Sequence, residues 1–241
     1  MRSGQSNKYC QANTVNLMPR LKPSLNIRKG QSTHRAPQQA RTRERFEQIL
    51  DATEELLETR FFEDISVQDI VKAAEVSTGS FYARFKSKND VLRELYRRYR
   101  EDLSQVDEQA VAEQTSDMTL SELIHFMVER GVERMENRRG LIRTIALHMR
   151  QTPDATSDRE RATAKHARDV AVKILMRKRK EICHPKPEEA ARLIVFTLAA
   201  ACREFVLFNY TAHASQLRIR RSRFISEMAE MMRKFLMCPH E

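Results

Sequence analysis

Residues 66–88 read SVQDIVKAAEVSTGSFYARFKSK, a stretch whose character changes every few positions. Ser66, a good helix N-cap, precedes an apolar rhythm of Val67, Ile70, Val71, Ala73 and Ala74. The rhythm breaks at Glu75-Val76-Ser77 and restarts with Phe81, Tyr82 and Phe85 among small and basic residues. A helix, a three-residue break and a second short helix form the helix-turn-helix pattern. Ile70, Val71 and Ala74 are placed to pack against Val76 and Phe81 and so to set the crossing angle. Ser77 is a second plausible N-cap, and Ser77, Thr78, Gly79 and Ser80 are small enough to bring backbone close to DNA. Tyr82 and Arg84 follow, able to reach base edges or phosphates, and Lys86 and Lys88 add charge. Phe81 and Phe85 read as core.

The rest of the chain fits a helical protein. Its 241 residues are 41% apolar, with only 5 Gly and 7 Pro, and long segments repeat apolar residues at helical spacing. No apolar run reaches the ~18 residues that suggest a membrane span. The most apolar run, LIVFTLAAAC at 193–202, stops at Arg203-Glu204 and reads as a buried helix. The N-terminus lacks the apolar centre of a signal peptide. Cys10, Cys183, Cys202 and Cys238 make no CxxC pair, so a reducing cytoplasm fits and no disulfide is implied. Cys183-His184, without a second pair, does not make a metal site, and neither metal nor cofactor is expected.

The net charge of +10 is unevenly placed. Residues 1–45 hold ten Lys or Arg against Glu44 alone, whereas the remainder carries 33 basic and 32 acidic residues. A cationic arm of this kind favours a polyanion, most often nucleic acid; a solvated tail is the plain alternative. Residues 1–36, rich in Gln, Asn, Ser and basic side chains, read as a largely disordered arm.

A helix is predicted from Pro37 to near Arg60, with Phe46, Ile49, Leu50, Thr53, Leu56 and Leu57 on one face. Another begins around Lys88 and carries Val91, Leu92, Leu95, Tyr96 and Tyr99, then Leu103 and Val106. Further helices are predicted over 120–137, 140–150 (ended by Pro153), 157–181, 188–210 and 215–237. The fold class is therefore all-α: residues 37–100 as a three-helix helix-turn-helix domain and 101–241 as a helical second domain.

Residues 66–92 closely resemble the DNA-binding motif of TetR-type transcriptional regulators. The similar elements are Ser66-Val67, Ile70, Ala73-Ala74, Val76-Ser77, Gly79, Phe81-Tyr82, Phe85, Lys88 and Leu92. The resemblance implies a homodimeric repressor, not an enzyme, whose head binds operator DNA as an inverted repeat and whose body binds a small-molecule inducer. By position, Thr78, Gly79, Tyr82 and Arg84 match operator-reading residues, and Ser66, Gln68, Ser80, Tyr82 and Lys88 match phosphate-contacting ones. The family usually has Gly where this chain has Glu75, and often Gly near Phe61; both places commonly take left-handed backbone, which costs a non-Gly residue about 1 kcal/mol.

In the second domain, helix 188–210 is apolar nearly all round, and 215–237 carries two adjacent stripes: Leu217, Phe224, Met228, Met231 and Phe235, and Ile225, Ala229, Met232 and Leu236. One stripe can face its own domain and the other a partner, giving a four-helix interface between two copies; a larger monomeric core is the alternative. Candidate ligand-binding residues are Phe126, Met127, Ile142, Ile145, His148, Met149 and Arg203, a mostly apolar set with one titratable group and one cation. A constitutive or architectural DNA-binding protein without an inducer is the competing function. No glycine-rich phosphate loop or nucleophile elbow speaks for an enzyme.

Overall fold

The computed structural model describes residues 36–104, 108–151 and 158–237; the arm predicted over 1–36 lies outside them but for its last residue, as do Val106, Pro153 and Cys238. Residues 41–241 form one compact unit. The described residues hold helices and no strand.

The head is built from α1 (Ala36–Thr59), a 3-10 turn (Phe62–Asp64), α2 (Val67–Ala73), α3 (Thr78–Tyr82) and the start of α4 (Lys88–Ser104). The apolar face read from α1 is the one buried: Ile49, Leu50 and Leu57 are closed off, and Thr53 satisfies its hydroxyl by donating to the Ile49 carbonyl (2.7 Å). They join Ile65, Ile70, Val71, Phe81, Phe85, Val91, Leu92 and Leu95 in one cluster. Phe46 stacks on Phe85, ring centres 5.2 Å apart.

The body comprises α5 (Glu108–Gln114), α6 (Leu120–Asn137), α7 (Arg139–Gln151), α8 (Asp158–Met176), α9 (Pro187–Leu207), the short α10 (Ala212–Ser215) and α11 (Arg221–Met237). Thr119 and Glu122 start α6 with a reciprocal capping box. α6 lies against both α9 and α11, and α8 against α9. Phe205 and Phe224 stack with centres 3.9 Å apart, fixing α9 on α11. Cys202 is buried here, which pushes its thiol up to about 11 and leaves it unreactive at neutral pH.

Two boundaries differ from the sequence reading. The helix predicted over 157–181 ends at Met176 and closes with a 3-10 turn, Arg179–Glu181. The helix predicted from 215 begins at Arg221, because Arg218 takes left-handed backbone (φ 42°) and breaks the run. Leu217 therefore lies outside the last helix and is exposed. Of the two predicted stripes, Phe224, Ile225, Ala229, Met232 and Leu236 are buried, while Met231 faces out.

Head and body meet at α7. Leu141 and Ile145 enter the head cluster, whereas Ile142 enters the body core. Gly140 sits against α1 so closely that a Cβ there would lie 2.1 Å from the Leu57 carbonyl oxygen. The Gly140 N–H donates to Glu58 (3.1 Å), and buried Arg143 donates to the Leu57 and Arg60 carbonyls (2.9 Å each). A guanidinium on the last carbonyls of α1 satisfies acceptors the helix leaves open and opposes the negative end of its dipole. Its plane also covers the Phe61 ring. Beside it, Glu54 is held by Arg98 (2.6 Å) and by Arg138 (2.9 Å), and Arg138 also reaches Asp102 (2.7 Å).

Candidate nucleic-acid interface

The recognition motif is locally over-determined. Ser66 caps α2: its hydroxyl accepts from the Asp69 N–H (3.1 Å), and the Asp69 carboxylate accepts from the Ser66 N–H (2.8 Å) and hydroxyl (2.6 Å). Those bonds, chiefly the Ser66 hydroxyl and N–H and then Arg60, hold the Asp69 carboxyl far below the usual carboxylate range. Ser77 caps α3 by accepting from the Ser80 N–H (3.1 Å). Between the helices Glu75 adopts φ 53°, the left-handed turn residue expected where the family has glycine. Phe61, the other place flagged, has φ −78° and ordinary extended backbone, so no glycine is needed there.

α3 is five residues long, from Thr78 to Tyr82. It buries Phe81 and presents Thr78, Gly79 and Tyr82 to solvent, with Tyr82 55% exposed. Gln68 on α2 is exposed on the same motif. No side-chain hydrogen bond occupies Gln68, Thr78 or Tyr82 among the described residues, so their polar atoms are available to a partner. Nothing lies within 4 Å of a Cβ built on Gly79, so glycine there leaves open space for a close approach.

The remaining residues of the sequence-derived set have work inside the head. Lys88 donates to the carbonyls of Phe62 (2.9 Å), Glu63 (3.1 Å) and Ile65 (2.9 Å), which engages all three N–H groups of its ammonium. Arg84 folds back, donating to the Ser80 carbonyl (2.6 Å) and to the Thr42 carbonyl of α1 (3.3 Å). Ser80 is half-buried, and its hydroxyl accepts from Arg84 (3.3 Å) and from Arg45 (3.4 Å). Arg45 was not legible as a site residue: it sits on the exposed side of α1, 35 positions from the serine it meets.

The ligand candidates do not gather in one place. Ile142 is in the body core and Ile145 in the head cluster. Met127 packs on the body core, Phe126 and Arg203 are half-buried, and His148 is exposed. Met149 is exposed and accepts from the Tyr96 hydroxyl at 3.7 Å. A cleft of about 430 Å³ lies elsewhere, lined by Glu108, Gln109, Ala112, Glu113 and Arg177.

A capped two-helix motif with an exposed, small-residue second helix defines a helix-turn-helix DNA-binding class. Residues 49–95 match the family described as bacterial regulatory proteins, tetR family. The uncharacterized HTH-type transcriptional regulator YwcC of Bacillus subtilis is 47% identical over 47 residues, which make up 20% of this chain and 21% of that protein. The match thus spans about a fifth of that relative's length. A TetR-family transcriptional regulator from Pectobacterium atrosepticum has the same fold: TM-score 0.53, 16% identity, covering 83% of this chain and 98% of that one. A TetR-family regulator from Streptomyces coelicolor aligns with TM-score 0.50 and 17% identity over 79% of each chain. Residues 49–95 therefore carry a DNA-binding domain of the tetR family of bacterial regulatory proteins.

Proposed function

We propose that the protein is a homodimeric repressor that binds an inverted-repeat operator through α3 and is released when a small molecule binds the helical body. The observation that carries this reading is the exposed set Gln68, Thr78, Gly79 and Tyr82 on a motif whose caps and turn are fully built. A two-fold dimer would set two such helices in successive major grooves, about 34–36 Å apart. Dimerisation is supported by large apolar side chains facing out from the body: Leu193 (51% exposed) and Phe196 (64%) on α9 and Met231 (51%) on α11. An exposed apolar stripe on neighbouring helices is the usual mark of a protein interface.

Release by a ligand is supported by α7, which has Ile142 in the body core, Leu141 and Ile145 in the head cluster and Arg143 on the end of α1. A ligand that binds better to one setting of α7 shifts the spacing of two heads in a dimer, by as much as its differential affinity allows. The dispersal of the predicted ligand residues over two cores favours, as second reading, a constitutive DNA-binding protein. Selecting bound duplexes from a random pool, with light scattering of the complex, tests the main reading. An inverted repeat bound by two chains is expected; enriched duplexes without a common motif would refute it. Where a ligand is found, operator DNA must weaken its affinity by the factor by which it weakens operator binding; equal affinity with and without operator would favour the constitutive reading.

A further inference from the structure

We propose that Arg45 and Arg84 form a two-armed clamp for one phosphodiester of the operator backbone, with the Ser80 hydroxyl between them. This rests on the DNA-binding reading above and assigns it a contact from α1. Two guanidinium groups from different helices converge on one oxygen: Arg45 donates to Ser80 Oγ at 3.4 Å and Arg84 at 3.3 Å. Bringing two cations together repels, and no carboxylate lies within ion-pair distance of either among the described residues. Glu47, two residues along α1, faces Arg98 (3.5 Å).

The hydroxyl orients the arrangement. A serine oxygen has two lone pairs, and the two arginines use both, so its own hydrogen is left to donate outward. Arg84 is braced by the Ser80 and Thr42 carbonyls, which fixes one arm, while Arg45 is the exposed arm. An anion with several tetrahedral oxygens accepts from the serine and from the remaining guanidinium N–H groups together. Guanidinium forks match phosphate oxygens bidentately. The site adjoins the exposed face of α3, so a phosphate held here sets the depth and angle of that helix and carries no base preference itself.

The test compares full-length wild type, Arg45→Gln, Arg45→Lys and Tyr82→Ala on the selected operator and on an unrelated duplex, from about 50 to about 200 mM salt. Arg45→Gln is expected to weaken both duplexes by the same factor and to lower the slope of log affinity against log salt by about 0.9. Arg45→Lys should keep the slope while losing part of the affinity, because it keeps the charge without the fork. Tyr82→Ala should change base preference with the slope kept. Wild-type and Arg45→Gln salt plots that superimpose, or Arg45→Gln that lowers the melting temperature with its slope unchanged, would overturn the clamp and make Arg45 a brace. If wild type binds no duplex at any salt, the DNA-binding reading itself falls and the clamp with it. Arg45→Gln keeps the test clear of folding defects that Arg84→Gln could introduce.

Discussion

Replacing Gly140 with alanine adds one methyl group where α7 touches α1. The new carbon would lie 2.1 Å from the Leu57 carbonyl oxygen, 2.2 Å from the Leu57 carbonyl carbon and 2.6 Å from the Glu58 nitrogen. All three are backbone atoms, so no side-chain rotation relieves the contact, and the first turn of α7 must move away from α1. That movement loosens the Gly140 bond to Glu58 and the two Arg143 bonds to the Leu57 and Arg60 carbonyls. Overpacking of this kind costs about 1–3 kcal/mol. Losing one charged hydrogen bond adds about 1.5–3 kcal/mol. Alanine's better helix propensity returns at most about 1 kcal/mol. The balance is a destabilisation of about 2–4 kcal/mol, or a fall in Tm on the order of 5–15 °C. Urea unfolding followed by circular dichroism measures it. A variant as stable as wild type, or more stable as helix propensity alone dictates, would refute the close α1–α7 contact.

Three further outcomes follow from the same geometry. Glu75→Gly should raise stability by about 0.5–1 kcal/mol in urea unfolding, because glycine adopts the observed φ of 53° without steric cost; a decrease would contradict that backbone. Glu54 is pushed up by burial, but Arg138 and Arg98 outweigh this and hold its carboxyl below the usual value. Since the folded-state value is the lower one, its contribution is present above the ordinary carboxylate range and lost as pH falls through the folded value. Glu54→Gln should therefore cost about 2–4 kcal/mol at neutral pH and less in acid, read from Tm against pH. Phe196→Glu should leave the helical spectrum intact and convert a dimer to monomer in light scattering; an unchanged mass would place the interface elsewhere.

The head was legible from sequence because its signals are local. Ser66 and Ser77 are caps, Glu75 marks the turn, and Phe81 and Phe85 fall on the buried side, all within about one supersecondary unit. Lys88, Arg84 and Ser80 were less legible, since the groups that engage them lie elsewhere in the chain: Phe62–Ile65 for Lys88, and Thr42 and Arg45 on α1 for the other two. A cation in the right motif position looks the same in sequence whether it faces solvent or three carbonyls. The α7 seam left one trace, a glycine inside the helical pattern at 140, which often marks a close packing contact. Its partner Leu57 lies on α1, beyond the reach of local periodicity. The break before α11 was missed because Leu217 and Ile219 continue an apolar rhythm, while Arg218 between them takes left-handed backbone.

Sequence recognition by the exposed face of α3 is tested most directly by measuring the affinity of wild type, Thr78→Ala and Tyr82→Ala for the selected operator and each of its single-base variants. Each substitution is predicted to weaken the operator by about 1–3 kcal/mol and to flatten discrimination at particular base pairs, symmetrically in the two half-sites. Binding profiles for both variants that match wild type in affinity and base preference would contradict the assignment of Thr78 and Tyr82 to operator recognition.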